Sequence, residues 1–142
     1  PLTATPKLIQ DAEQAFENGR MFWRDDDRYI YVVHEQGALA GTYQVFEDDW
    51  EEGDPELSCV ATAPSERVQP KRGFGLVWCK LGGAAAAIGW GLEEEAGYWE
   101  GKGDPLVHDF GSGVILRDSA GTASGMAYVF FGSTGTFVHE AY

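Results

Sequence analysis

Two spacings of apolar residues alternate along this chain, and they divide it into predicted elements. Leu8, Ile9, Ala12, Ala15 and Phe16 fall near a helical period, which predicts a short helix over residues 7–16. Residues 20–24 and 29–33 are apolar runs on either side of Asp25-Asp26-Asp27-Arg28, so they predict a β-hairpin with a polar turn. Tyr43 to Phe46 predicts a further strand. Pro64 and Pro70 break regular structure over 57–72. Gly73 to Lys80 opens an apolar segment that Gly82-Gly83 interrupts. Ala84 to Ile88 then predicts a helix ended by Gly89 and Gly91. Gly97 to Gly103 reads as a loop, and a second hairpin begins near Leu106. One more strand follows it, so the C-terminal end is expected to be tied into the sheet.

The two hairpins echo each other. Phe16 stands three residues before Gly19, and Phe110 three before Gly113. Each copy runs through an apolar strand and a polar turn to a second strand at Tyr31 or Tyr128. Each closes on Gly-Thr-aromatic, as Gly41-Thr42-Tyr43 and Gly135-Thr136-Phe137. An ungapped alignment places Arg117 where the first copy has Trp23, and the second turn is longer. This pattern predicts an internal repeat, 16–43 and 110–137, within one domain spanning 7–142. The expected fold is mainly β (α+β): two pseudo-repeated hairpin units around a short central helix, as a mixed sheet or a small barrel.

Composition agrees with strands and tight turns, since aromatics make up 13 % and glycines number 19 among 142 residues. The net charge of −13 argues against nucleic acid, whose phosphates need clustered Lys and Arg, and against an anionic membrane surface. The uncharged run Leu81 to Leu92 is too short and too rich in Gly and Ala to span a bilayer. Pro1 to Pro6 reads as the end of a Pro/Thr linker or as an N-terminal arm. A chain that opens on Pro rather than Met has the look of a processed or excised piece. Cys59 and Cys79, the two cysteines, are expected to pair in an oxidising compartment, the alternative being two buried thiols.

One tract is strongly acidic: Glu47 to Glu56 holds seven carboxylates in ten residues. Ca²⁺ takes six to eight oxygens, which makes Asp48, Asp49, Glu51, Glu52 and Asp54 the candidate ligands. The spacing is not that of an EF-hand, and a solvated loop is the simpler account, so no cofactor is expected.

Three stretches resemble a module of secreted Chloroflexi-type proteins that follows Pro/Thr-rich linkers. They are Arg72-Gly-Phe-Gly-Leu-Val-Trp78, Ile88-Gly-Trp-Gly-Leu-Glu-Glu-Glu95 and Phe110-x-x-Gly113. Phe16 to Trp23, Tyr29 to Val33 and Asp48 to Trp50 fit the first half of that module, so the resemblance covers most of the chain. Ile88, Gly89 and Glu95 are also similar to the LGFP repeats of actinobacterial cell-surface proteins, with Gly91 where those repeats carry Pro. Both resemblances imply an extracellular or cell-surface location more than an activity.

No catalytic motif stands out. His34, His108 and His139 have no metal-ligand spacing, and no Gly-x-Ser-x-Gly elbow or complete dinucleotide fingerprint occurs. Glu94 or Glu95 beside Trp90 and Trp99 is the best pair for a glycan hydrolase, but three adjacent glutamates look too exposed for a catalytic acid. The five tryptophans point to contact instead, because an indole offers a broad apolar face with one polar handle. Trp23 and Trp78 belong to apolar runs and are assigned to the core. Trp50, Trp99, Tyr98 and Trp90 are the candidate contact residues. The sequence therefore predicts a non-catalytic module that binds or organises cell-wall or surface polysaccharide. The alternative is a filament or surface-layer subunit that assembles with copies of itself through its arm or an edge strand.

Overall fold

A computed structural model describes residues 7–8, 11–35, 40–98, 106–110, 113–118, 126–132 and 134–141. The predicted arm at 1–6 lies outside them. The protein is mainly β, with ten strands, one α-helix and a single 3₁₀ turn at Gly83–Ala85 among the described residues. The strands are β1 (Lys7–Leu8), β2 (Asp11–Phe16), β3 (Gly19–Arg24), β4 (Tyr29–Glu35) and β5 (Ala40–Glu47). After the helix α1 (Arg72–Lys80) come β6 (Ala96–Tyr98), β7 (Leu106–Phe110), β8 (Gly113–Asp118), β9 (Met126–Phe131) and β10 (Thr136–Ala141).

All ten belong to one sheet, in the order β1-β7-β8-β9-β10-β5-β4-β3-β2-β6, and every pairing between them is antiparallel. The mixed sheet expected from the sequence is thereby corrected. β2 to β5 form a four-strand meander, and β7 to β10 form another. Their registers correspond: Phe16 faces Gly19 as Phe110 faces Gly113, and Gln14 faces Met21 as His108 faces Ile115. Val33 faces Tyr43 in one meander as Phe130 faces Phe137 in the other. The meanders join where Thr42 of β5 faces Thr136 of β10. Glycine is required at the first hairpin, because a Cβ on Gly19 would lie within bonding distance of the Val33 carbonyl.

The sheet curls into a half-barrel rather than closing as a barrel. Phe22 on β3 and Tyr128 on β9 stand four places apart, roughly 19 Å in a flat sheet. Their ring centroids are 4.8 Å apart. Inside the curl, Phe22, Tyr31, Val33, Tyr128, Phe130 and Phe137 form one core cluster. Alternation sends Met21, Ile30 and Val32 to the opposite face of the first meander. There they pack with Phe74, Val77 and Trp78 of α1 and with Ile88.

Two local expectations are corrected. Residues 11–16 are a strand, not a helix: all six are buried, and β2 is paired on both sides, by β3 and β6. Two-sided burial removes the solvent face an amphipathic helix would need. The helix, in turn, lies at Arg72–Lys80 and not over Ala84–Ile88, where only the 3₁₀ turn forms. Burial of Phe74, Val77 and Trp78 on the sheet outweighs the low helix propensity of Gly73 and Gly75.

Residues 48–71 lack strands and helices, apart from an isolated bridge between Val68 and Gly91. A disulfide between Cys59 and Cys79 ties this segment to the end of α1. Closing that loop of 20 residues is worth about 3 kcal/mol in the chain-entropy model, and it points to an oxidising environment. Among the described residues no helix is long and apolar enough to cross a membrane.

A tryptophan-lined cleft as the candidate functional site

Between the end of β5 and the start of α1 lies an open cleft of about 960 Å³. That volume lies in the range of small-molecule and saccharide sites. The cleft is lined by Trp23 from β3, Arg28 and Ile30 from the first turn and β4, Asp48, Trp50, Glu51 and Glu52 from the acidic tract, Arg72 to Phe74 from α1, and Glu95. Trp50 also lines a smaller adjoining pocket of about 230 Å³ with Leu57 and Leu76. One ring thus borders two consecutive hollows.

Asp48 is the hub of the cleft. Its carboxylate accepts a hydrogen bond from the Trp50 backbone N–H at 3.3 Å and shares the cleft lining with the Trp23 side chain. Its own N–H donates to the Arg28 carbonyl at 3.1 Å. Gly73 makes room for it, since a Cβ there would come within 2.5 Å of Asp48 Oδ1. Burial raises the Asp48 pKa above the ordinary carboxylate value, while the Trp50 N–H hydrogen bond, the charge of Arg28 and the polar Trp23 side chain pull it down.

The Trp50 indole N–H is not to spare, since it donates to the Pro55 carbonyl at 2.9 Å. What these rings offer a ligand is their apolar surface. Directional chemistry comes from the charged groups around them. Arg72 donates to Glu95 at 3.0 Å and stands 3.6 Å from Glu56. The hydrogen bond to Glu95 holds its pKa up against partial burial. Arg28 and Arg72 both take a left-handed backbone, with φ of 60° and 55°. Non-glycine residues adopt that conformation at a cost, and of the three that do so among the described residues, two line the cleft.

The contact residues expected from the sequence separate. Trp50 lines the cleft. Trp90 does not: it is half-buried, with its ring 5.1 Å from that of the fully buried Trp78, and its backbone is bonded to Glu17. Tyr98 is placed only by its backbone, opposite Asp11 in the sheet, and Trp99 lies outside the described residues. Of the calcium candidates, Asp48, Glu51 and Glu52 line the cleft, Asp49 pairs with Lys80 at 3.2 Å, and Asp54 accepts from the Glu51 N–H at 2.9 Å. Among the described residues no group of three or more His, Cys, Asp and Glu is arranged to hold a metal ion. Glu95 belongs to the cleft, whereas Glu94 is exposed and outside its lining.

Sequence reasoning missed Trp23, Arg28 and Arg72. Trp23 does pack against the core cluster around Trp78, but one side of it borders the cleft. The second meander has no counterpart to it: Arg117 faces Leu106 as Trp23 faces Ala12. Comparisons with protein-family models, curated proteins and solved structures find no match to this chain.

Proposed function

We propose that this protein is an extracellular, non-catalytic module that binds a surface glycan in the cleft between Trp23, Trp50 and Arg72. One observation carries this reading. Two indoles, Trp23 and Trp50, the latter with its N–H bonded to the Pro55 carbonyl, border a cleft rimmed by Arg and carboxylate side chains. Sugar rings present apolar C–H faces and hydroxyl edges, so an indole surface beside charged donors and acceptors complements them. The adjoining pocket beyond Trp50 favours a chain of sugars over a single one. We also infer that the two meanders descend from one duplicated unit, from their matched registers, and that the first unit alone was elaborated into a site.

Cosedimentation with purified cell-wall sacculi tests the reading, with a tube lacking ligand alongside. Pelleting only with sacculi, and its loss in Trp50→Ala, is the expected result. Pelleting without ligand would instead favour the self-assembling filament or surface-layer subunit. No pelleting in any tube contradicts wall binding.

A second reading, glycan hydrolysis, draws on Asp48, a carboxyl raised by burial within the cleft. Release of reducing ends from sacculi that is lost in Asp48→Asn would establish it.

A further inference from the structure

The charges that line the cleft narrow the class of glycan. Four carboxylates, Asp48, Glu51, Glu52 and Glu95, stand against two guanidiniums, Arg28 and Arg72. The Arg72 guanidinium is already engaged by Glu95 and Glu56, and the charge of Arg28 acts on Asp48. Glu51 and Glu52 remain exposed at the rim. The cleft is therefore net negative, within a chain whose net charge is −13. A polymer carrying carboxylates or phosphates along its backbone meets repulsion here, both locally and from the protein as a whole. An ammonium group meets the reverse. It is attracted by the carboxylates, and indole π surfaces favour a cation over a neutral group.

We propose that the cleft selects an amine-bearing glycan, a polymer of amino sugars at least partly free of N-acetyl groups. In this arrangement the ammonium sits against Trp23 or Trp50 and is neutralised by Glu51 and Glu52, while the sugar faces lie along the indoles. The proposal rests on the glycan reading above and adds the chemical class of the ligand.

Calorimetric titration with two oligomers of equal length tests it: a glucosamine oligomer and its fully N-acetylated counterpart, at a pH where the amine is protonated. The native protein is expected to bind the amine-bearing oligomer about tenfold more tightly. Glu51→Gln/Glu52→Gln should remove that preference. Glu35→Gln/Glu94→Gln, which removes the same charge from exposed positions outside the cleft lining, should keep it. Circular dichroism on each variant verifies the fold. Equal binding of the two oligomers overturns the selectivity and leaves the glycan reading standing. A preference lost equally in both double variants also overturns it, since the attraction would then come from overall charge. Binding of neither oligomer contradicts the amine-bearing class, and the sacculus experiment then decides the glycan reading separately.

Discussion

Arg24 and Asp109 meet at 3.5 Å although their strands, β3 and β7, stand six places apart in the sheet. A flat sheet would hold them roughly 29 Å apart. The contact therefore marks the seam where the curled sheet approaches itself, and side chains bridge it instead of a strand ladder. Arg24 is 3 % exposed and also reaches Asp26 at 2.7 Å, Asp27 at 3.3 Å and the Tyr31 hydroxyl at 3.2 Å. Burial pulls against its charge, but the hydrogen bond to Asp26 and the charges around it hold its pKa above the ordinary guanidinium value. Burial likewise pushes Tyr31 up to about 12.

The two ends of that contact are unequal, because the Asp109 side chain is 43 % exposed. Arg24→Met removes a buried guanidinium from three partly exposed carboxylates and from the Tyr31 hydroxyl, and is expected to cost about 2 kcal/mol in urea unfolding. Asp109→Asn should cost less than about 1 kcal/mol, as exposed ion pairs do. Equal small losses for both would mean that Arg24 does not anchor the seam.

Asp48 predicts a pH dependence with a definite sign. Its native pKa is raised by burial, so the folded state takes up the proton more readily than the unfolded chain. The associated stability is present below the ordinary carboxylate pKa and is lost as the pH rises through the native value. A carbon-detected NMR titration should find its midpoint above 3.8. Trp23→Phe should raise the midpoint further, because the polar Trp23 side chain favours the charged form. A lower midpoint in that variant would deny that effect.

Two glycines in α1 should respond differently to alanine. At Gly75 the new Cβ would lie 2.5 Å from the Pro70 carbonyl oxygen, a backbone atom with little freedom, and a loss of about 1–3 kcal/mol is expected. At Gly73 it meets the Asp48 side chain, which can turn aside. Gly73→Ala should therefore weaken ligand binding more than it weakens folding, as thermal unfolding and titration together would reveal.

How legible all this was depended on the range of the interactions. The hairpin of β3 and β4 could be read because Asp25 to Arg28 is a polar turn between apolar runs, a local signal. The Cys59–Cys79 bond was foreseen from cysteine count and composition. Residues 11–16 misled, because Ala12, Ala15 and Phe16 fall near a helical spacing while pairing by β3 and β6 decides their state. Helix α1 was hidden by its glycines, which Asp48 and Pro70 require from a distance. The cleft was half visible: Trp50 stood out among carboxylates. Trp23 and Arg72 join it only through the packing of α1 on the sheet.

The most direct test of the central claim is an amide and indole NMR titration with soluble oligosaccharides released from cell walls. Five tryptophans give five indole signals, and the structure sorts the assigned ones into lining and buried positions. The account predicts that the indole signals of Trp23 and Trp50 shift with saturation, together with the amides of Glu51, Glu52 and Gly73. Trp78, fully buried and bonded to the Gly89 carbonyl, should stay in place. Shifts confined to residues outside the cleft, or no shifts at any oligosaccharide concentration, would contradict it.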